Sequence, residues 1–233
     1  MSLRLLIVGY GRMGKAVEAL CGAYDCEVVE RLDIHNNRGG AGIDAARLPP
    51  ADVAVDFSTA DALLTNLPRL AAVGLDTVIG TTGWNAHEER MKALVADAGI
   101  GVLAAANFSL GVNVFQAIVE RAARLLQPLD EFGAWIHETH HAAKIDAPSG
   151  TAIALRDAMR RSGYEAAIDM ASTRVGSAPG THTVGFDGPF ETLSLTHTTR
   201  DRATFAHGAI AAARWVHGRR GWFTMRDVLG LEP

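Results

Sequence analysis

Short apolar runs alternate with amphipathic stretches through the first hundred residues of the chain. Runs typical of buried strands occupy residues 3–8, 27–33, 52–57, 76–84 and 101–109. Helical periodicity is found after the first of these runs and again at 60–72 and 85–98. Strands separated by helices of this length form right-handed βαβ units and therefore a parallel sheet. The pattern predicts an α/β protein that begins with a Rossmann-type, doubly wound parallel sheet.

The pattern changes after Gly111. A helix is predicted over 113–126, and strand-like runs follow at 132–140, 181–186 and 191–199. Short strands in series with one or two helices are typical of an α+β domain with an open, largely antiparallel sheet. The last segment, from about Ala206 onward, is predicted to be helical and to pack back on the first domain.

A glycine-rich turn, GYGRMG, follows the first predicted strand at once. Gly9 and Gly11 allow a tight turn and the close approach of a pyrophosphate, and Gly14 lets the next helix pack on the strand. Asp33 closes the following strand nineteen positions after Gly14 (33 − 14), where it can accept hydrogen bonds from an adenine ribose. Glu30 is the other candidate for the ribose, although as a mid-strand residue it is expected to face solvent.

The later strands of the predicted sheet end in residues that would line one crevice. In such a sheet the ligand lies over the carboxyl ends of the strands. The residues at these ends are Phe57, Ser58, Gly80, Thr81, Thr82, Ala105, Ala106, Asn107 and Phe108.

The composition narrows the choice of partners. The chain is 48% hydrophobic and 21% charged, and its net charge of −4 supplies no general basic surface for nucleic acid or an anionic membrane. No run reaches the roughly 18 apolar residues that cross a bilayer. Cys21 and Cys26 match no zinc or redox spacing, and with no secretory signal we expect reduced thiols in a cytoplasmic protein.

One short segment, ETHHAAKIDAPSGT at 138–151, concentrates charged and titratable side chains between a predicted strand and a predicted helix. Ser149 is a candidate N-cap, so the N–H groups of the first helical turn would point into the loop and form an anion site. Lys144 adds positive charge, and His140 and His141 can donate a proton near neutral pH. The expected ligand is a carboxylate compound that takes up a proton.

Two other interpretations of this segment are weaker. His137, His140 and His141 could bind zinc, but neither sulfur nor a well-spaced carboxylate joins them. Ser149 could be a nucleophile, but it lacks the glycine spacing of a strand elbow. We therefore expect no metal.

Motifs along nearly the whole chain resemble one known family. They are GYGRMG, VDFS, VIGTTGW, AANFSLGVNV, ETHHAAKIDAPSGTA, RVGSAPGTHTVGF, LTHTTRDRATFAHGA and MRDVLGL. The chain is similar to the 4-hydroxy-tetrahydrodipicolinate reductases, also called dihydrodipicolinate reductases, and the ETHHAAKIDAPSGT segment is the most specific part of the likeness. The resemblance implies hydride transfer from NADH or NADPH to a small cyclic dicarboxylate in lysine and diaminopimelate biosynthesis, by a homotetramer.

The resemblance also implies a role for each matching residue. His140 would be the acid that protonates the reduced ring, and Lys144 would be a second proton donor and charge partner. The substrate-binding groups would be His141, Gly150 and Thr151. The cofactor would be held by Gly9, Tyr10, Gly11, Arg12, Met13, Asp33, Gly80, Thr81, Thr82, Ala105, Ala106, Asn107 and Phe108. Residues 1–108 and 207–233 would form the dinucleotide-binding domain, and 109–206 the substrate-binding and oligomerisation domain.

Two features depart from the family pattern. The stretch between the second and third strands is shorter than in many members, and Asp33 is followed by Ile34 and His35 where several relatives carry arginine. The choice between NADH and NADPH is therefore open. The alternatives are another two-domain nicotinamide dehydrogenase of an amino acid, similar to aspartate dehydrogenase, and a catalytically idle nucleotide sensor.

Overall fold

The structure is a computed structural model that describes residues 2–231. It divides into two compact units, one built from the chain up to Leu110 and from Ala203 onward, the other from Gly111–Arg202. Dinucleotide binding by the first domain, and substrate binding and oligomerisation by the second, stay predictions. Within the described chain, no helix combines the length and the apolar character that crossing a bilayer requires.

The first unit alternates strands and helices as predicted. Its elements before the second unit are β1 (Leu3–Val8), α1 (Arg12–Cys21), β2 (Cys26–Leu32), β3 (Val53–Asp56), α2 (Ala60–Ala72), β4 (Asp76–Ile79), α3 (Glu88–Ala98) and β5 (Gly101–Ala104). The runs predicted as strands at 76–84 and 101–109 end early, because their small and polar residues form the loops at the carboxyl edge of the sheet.

The second unit packs two helices on one face of a four-stranded sheet. Its elements are α4 (Leu110–Leu126), β6 (Gly133–His140), α5 (Gly150–Arg161), β7 (Ile168–Arg174), β8 (Thr181–Asp187) and β9 (Thr192–Thr198). The strand order is β7-β6-β8-β9, with β6 and β7 parallel and the other two pairs antiparallel. The core between helices and sheet includes Phe115, Val119, Leu155, Ile136 and Phe186. The strand β7 was not predicted, because the sequence IDMASTR is mostly polar and largely exposed.

The chain then returns to the first unit through α6 (Ala203–Val216), β10 (Gly221–Phe223) and α7 (Met225–Leu229). The prediction of a wholly helical final segment was wrong. α6 ends at Val216, and Gly218 follows with a left-handed φ of +74°. Gly221, with φ +118°, then begins a short strand that continues through Trp222 and Phe223 and lies parallel to β5.

The first sheet has the order β10-β5-β4-β3-β1-β2 with every pair parallel. β2 lies on one side of β1, and β3, β4, β5 and β10 follow on the other, so the direction of the connections reverses at β1. Such a reversal opens a crevice at the carboxyl ends of the central strands, where doubly wound proteins bind ligands. The fold therefore places the loops after β1, β3 and β4 around one crevice.

The close packing of α6 on the chain after β5 can be tested at Gly208. A Cβ at this position would overlap the carbonyl oxygen of Phe108, and that backbone oxygen cannot turn away as a flexible side chain could. We expect Gly208→Ala to lower the free energy of unfolding in urea by about 1–3 kcal/mol or more. Gly22→Ala is the matched control, because Gly22 has helical angles and open space around its Cβ position. Equal stabilities of the two variants would contradict this contact.

Candidate active site

Three loops of the first unit line an open cavity of about 280 Å³. The loops follow β1, β3 and β4, and the lining residues are Gly11, Arg12, Met13, Phe57, Ser58, Gly80, Thr81 and Thr82. The cavity lies at the N-terminus of α1, whose first N–H groups have no acceptor within the helix. These donors and the positive end of the helix dipole favour an anionic group such as a phosphate. The lining therefore fits an anionic group, and it brings together six of the residues predicted for the cofactor: Gly11, Arg12, Met13, Gly80, Thr81 and Thr82.

The remaining residues predicted for the cofactor do not line this cavity. Gly9 has φ +89°, and a Cβ there would lie 2.5 Å from the backbone of Phe57, so glycine lets the loops after β1 and β3 meet. The hydroxyl of Tyr10 donates to Glu18 on α1. Phe108 is buried in the hydrophobic core, and its ring centroid lies 5.8 Å from that of Phe57. The exposed Ala106 and the half-buried Ala105 and Asn107 follow β5.

A buried carboxylate, Asp56, fixes two walls of the cavity. Its Oδ1 accepts hydrogen bonds from the N–H of Ser58 at 2.9 Å, from the Ser58 hydroxyl at 2.6 Å and from the Thr81 hydroxyl at 2.8 Å. Its Oδ2 accepts from the Asn66 amide at 3.1 Å. Burial raises the pKa of Asp56, while these donors favour the charged form. Asp56 was not predicted from the sequence, although a carboxylate that closes an apolar strand in VDFS was a signal.

Asp33 lies one residue beyond β2, next to the glycine-rich turn, since Gly9 N–H donates to the carbonyl of Leu32 at 2.8 Å. Its Oδ1 accepts from the N–H of His35 at 2.8 Å and so shapes the turn. Glu30 pairs with Leu6 within the sheet and accepts from the N–H of Arg31 at 2.7 Å. Position along the strand therefore favours Asp33 over Glu30 as the carboxylate at the binding edge.

In the second unit, the strand register places three polar residues in one row. Glu138 on β6 stands opposite Ser172 on β7 and opposite His182 on β8. His140 lies two residues beyond Glu138, so both side chains point to the helix-covered face, and both are buried. His140 in turn stands opposite Arg174. The row joins side chains that are distant in the sequence.

The two oxygens of the Glu138 carboxylate have different surroundings. Oε1 accepts from the Ser172 hydroxyl at 2.7 Å, from the Arg174 guanidinium at 2.8 Å and from the N–H of Ser149 at 2.9 Å. Oε2 is buried and has no hydrogen-bond partner among the described residues. It lies 3.4 Å from Nδ1 of His140 and 3.5 Å from Nε2 of His182.

Burial and charge set the protonation states of this group. Burial opposes the charge of Glu138, but the hydrogen bonds from Ser149, Arg174 and Ser172 outweigh it and lower its pKa to about 2. Burial lowers the pKa of His140, against the opposite effect of the Glu138 charge. Burial and the neighbouring His140 lower the pKa of His182 to about 4. At neutral pH, Glu138 is therefore ionised and His182 is neutral.

The loop between β6 and α5 ends in a capped helix. The Ser149 hydroxyl accepts from the N–H of Ala152 at 3.2 Å, which confirms the predicted N-cap. The N–H groups of Gly150 and Thr151 lie in the first turn and have no acceptor within the helix. Lys144 lies in the same loop and donates to both carboxylate oxygens of Asp146, at 2.6 and 2.7 Å.

His141 begins the turn after β6, and its carbonyl accepts from the N–H of Lys144 at 3.1 Å. His137, considered above for zinc, points away from the buried row and lies 2.9 Å from the Thr173 hydroxyl. Potential ligand atoms of Glu138, His140 and His182 lie within 4.8 Å of one another. Arg174 donates to the Glu138 carboxylate, and Nε2 of His182 lies 3.1 Å from the Ser149 hydroxyl, so two members of the trio already have partners within the protein.

Arg174, His182 and the buried position of Glu138 were not predicted from the sequence. The signal for Glu138 was its spacing of two residues from His140 on a predicted strand, which puts both on one face. Arg174 and His182 both belong to the stretch RVGSAPGTHTVGF or its immediate surroundings. Their approach to His140 depends on the pairing of β7 and β8 with β6, which one sequence does not reveal.

Comparisons with known proteins match nearly the whole length of the chain. Residues 3–108 match the family model described as dihydrodipicolinate reductase, N-terminus, and residues 111–229 match the one described as its C-terminus. A 4-hydroxy-tetrahydrodipicolinate reductase from Bradyrhizobium diazoefficiens is 37% identical over 270 residues, covering 98% of this chain and 98% of the relative. One from Christiangramia forsetii is 33% identical over 240 residues, covering 97% and 98%.

A solved structure shows the same fold. It is the dipicolinate-bound dihydrodipicolinate reductase from Paenisporosarcina sp. TG-14, with a TM-score of 0.76 and 21% identity. The match covers 96% of this chain and 98% of that one. At this identity the likeness supports the architecture of a Rossmann-type sheet followed by a second, mixed sheet.

Proposed function

This chain belongs to the dihydrodipicolinate reductase family, and from that premise we propose which of its residues bind the substrate and supply the proton. It is an oxidoreductase that uses a nicotinamide cofactor to reduce 4-hydroxy-tetrahydrodipicolinate in lysine and diaminopimelate biosynthesis. The alternatives similar to aspartate dehydrogenase or to an idle sensor are not favoured.

The observation that carries the proposal is the loop of the second unit that joins β6 to α5. It has the buried imidazole of His140 at one end, the N-terminus of α5 at the other, and Lys144 between them. One substrate carboxylate is received by the N–H groups of Gly150 and Thr151 and by the Thr151 hydroxyl. His141 contributes a further binding group at the start of the turn.

Lys144 is the charge partner of the substrate. Its ammonium group is held by Asp146 in this structure, and a substrate carboxylate replaces Asp146 as the acceptor. When bound, the reduced nicotinamide supplies the hydride. His140, as imidazolium, donates the proton that the reduced ring takes up, and Lys144 stabilises the negative charge that develops in the substrate.

The cofactor is assigned to the first unit. Its pyrophosphate is held at the N-terminus of α1 by the glycine-rich turn of 9–13, and the ribose next to adenine is bound by Asp33. The loops at 80–82 and 105–108 complete the cofactor site. The carboxylate of Asp33 disfavours a 2′-phosphate, while His35 and Arg38 nearby in the chain partly offset it, so we propose a mild preference for NADH.

The assembly is proposed to be a cytoplasmic homotetramer that needs no metal. The second unit exposes apolar side chains at Val175, Phe190 and Leu193, which fits a unit that binds other copies of the chain. The negative net charge supports no partnership with nucleic acid or membrane.

The cofactor assignment predicts the effect of Asp33→Ala. Removing one charge near a 2′-phosphate is worth about 1 kcal/mol in water, so the ratio of kcat/KM for NADPH to that for NADH should rise roughly fivefold. Glu30→Ala is the matched control and should leave the ratio in place. If Glu30→Ala moves the ratio and Asp33→Ala does not, Glu30 is the ribose ligand.

The carboxylate site predicts a loss of inhibitor binding in Thr151→Val. Losing a hydrogen bond to a charged group costs about 1.5–3 kcal/mol, so the affinity for pyridine-2,6-dicarboxylate should fall roughly ten- to a hundredfold. Thr151→Ser keeps the hydroxyl and should bind nearly as well as wild type. NADH affinity should hardly change in either variant, and equal losses for both ligands would instead indicate a general disruption of the loop.

The proton-donor assignment is tested by turnover. Oxidation of NADH is followed while the preceding synthase makes the substrate from pyruvate and aspartate semialdehyde. A positioned acid contributes about 10²–10⁴-fold, so His140→Gln should lower kcat by that order, and Lys144→Ala should lower kcat and raise KM. The exposed His87→Gln serves as the matched control.

If His140 and Lys144 act as one unit, the double variant will be less impaired than the product of the single losses. A kcat near that of wild type in His140→Gln would move the acid to His141 or to water.

A further inference from the structure

The Glu138 carboxylate is anchored through one oxygen and leaves the other turned toward two imidazoles. Three donors from two different segments converge on Oε1: Ser172 and Arg174, both on β7, and Ser149 from the turn before α5. A carboxylate oxygen that accepts three hydrogen bonds has a fixed position. Oε2 is therefore also fixed, although it makes no hydrogen bond of its own.

A buried carboxylate oxygen that accepts no hydrogen bond is unfavourable unless a neighbouring group takes up a proton and donates to it. Oε2 lies 3.4 Å from Nδ1 of His140, which is itself buried and without a hydrogen-bond partner in the described chain. The two atoms are close enough to form a charge-assisted hydrogen bond after a small rotation. Such bonds in unliganded sites are often long and shorten when the substrate binds.

We propose that Glu138 is the positioning residue of the proton donor: its Oε2 accepts the Nδ1–H of His140 and thereby presents Nε2 of the same ring to the substrate. This inference rests on the proposed function, in which His140 donates the proton. Glu138 itself touches neither substrate nor cofactor in this scheme. It fixes which nitrogen donates, and its charge stabilises the imidazolium form from which the proton leaves.

The opposite edge of the His140 ring supports this assignment. A Cβ at Gly180 would lie 3.2 Å from Nε2 and from Cδ2 of His140, closer than an ordinary van der Waals contact. Gly180 thus keeps the Nε2 edge of the ring clear of a side chain. One nitrogen of His140 faces a carboxylate, and the other faces a glycine.

The same carboxylate also connects the proton donor to the substrate-binding helix. Through Oε1, Glu138 accepts from the N–H of Ser149, which caps α5. Nε2 of His182 lies 3.1 Å from the hydroxyl of the same serine and 3.5 Å from Oε2. Glu138 therefore sets the separation between His140 and the N–H groups of Gly150 and Thr151, on which simultaneous carboxylate binding and proton transfer depend.

Several other charged or titratable groups act on His140 and enter any pH dependence. His182 on β8 is a T-shaped neighbour, with ring centroids 5.0 Å apart. The groups that act on its charge are Glu138 and Asp146, which favour the imidazolium, and Lys144 and Arg174, which disfavour it. Of these, Glu138 has the largest effect, so its neutralisation should dominate the change.

The test is Glu138→Gln, which keeps the shape and an amide oxygen for the three anchoring donors but removes the charge beside His140. An opposite charge within about 4–6 Å shifts a pKa by about 1–3 units. We expect the pH at which kcat falls on the alkaline side to move down by about 1–3 units, with a much smaller change in KM. The His140 ring, followed by NMR in protein labelled with ¹⁵N-histidine, should titrate lower by the same amount.

Ser172→Ala is the matched control. It removes one donor from Oε1 but leaves Oε2 and the charge in place. The pH at which kcat falls on the alkaline side, and the pH at which His140 titrates, should therefore stay at their wild-type values. Glu138→Asp keeps the charge but moves it one methylene away from His140. It should therefore lower the pKa of His140 by less than Glu138→Gln does. It also carries the test if Glu138→Gln does not fold.

The outcomes separate this inference from the proposed function. Suppose that His140→Gln lowers kcat, but that Glu138→Gln changes neither the alkaline side of the pH profile of kcat nor the titration of His140. Glu138 then does not position the donor, and the inference is overturned. If His140→Gln retains kcat, His140 is not the donor, and the role of Glu138 falls together with that part of the proposed function. Equal shifts in Glu138→Gln and Ser172→Ala would also overturn the inference, because they would reveal a structural effect only.

Discussion

The arrangement of the second unit depends on how the buried negative charge of Glu138 is compensated. An ionised carboxylate away from water is strongly destabilising unless hydrogen bonds and opposite charge compensate it. Here Arg174, Ser172 and the N–H of Ser149 supply that compensation on one oxygen. The requirement ties β7 and the turn before α5 to β6, and it leaves the second oxygen directed at His140. The hydrogen bonds that stabilise this buried charge therefore also direct the carboxylate toward His140.

The first unit uses the same device for a different purpose. Asp56 ends β3 as a fully buried carboxylate, and its donors come from its own loop, from the loop after β4 and from α2. The Asn66 amide oxygen in turn accepts from the side chain of Asn37, in the segment that follows Asp33. A connected set of hydrogen bonds therefore runs from the cavity at α1 to the segment proposed to meet the adenine ribose. In both units a buried carboxylate at or near the end of a strand orders the loops that we propose to bind ligands.

Much of this arrangement could be predicted from the sequence, and the failures have physical causes. The alternation of apolar runs predicted the parallel sheet because strands buried on both faces need such runs, and GYGRMG located its binding edge. The strand β10 was not predicted because three residues are too few to show the alternation of a strand. The strand β7 was not predicted because its side chains are mostly exposed and polar. His140 and Lys144 could be predicted as candidates because they are neighbours in the sequence. Arg174 and His182 reach His140 only through strand register, which depends on the three-dimensional pairing of β6 with β7 and β8.

The central claim is that the neutral imidazole of His140 carries its proton on Nδ1, facing Glu138, and has a bare Nε2. The most direct measurement is the ¹⁵N chemical shift of both ring nitrogens in ¹⁵N-histidine-labelled protein at a pH above the titration of His140, assigned with the His140→Gln variant. The account predicts an amine-type shift for Nδ1 and an imine-type shift for Nε2. The reverse pattern, with the proton on Nε2, would place a lone pair against the carboxylate and would contradict the account.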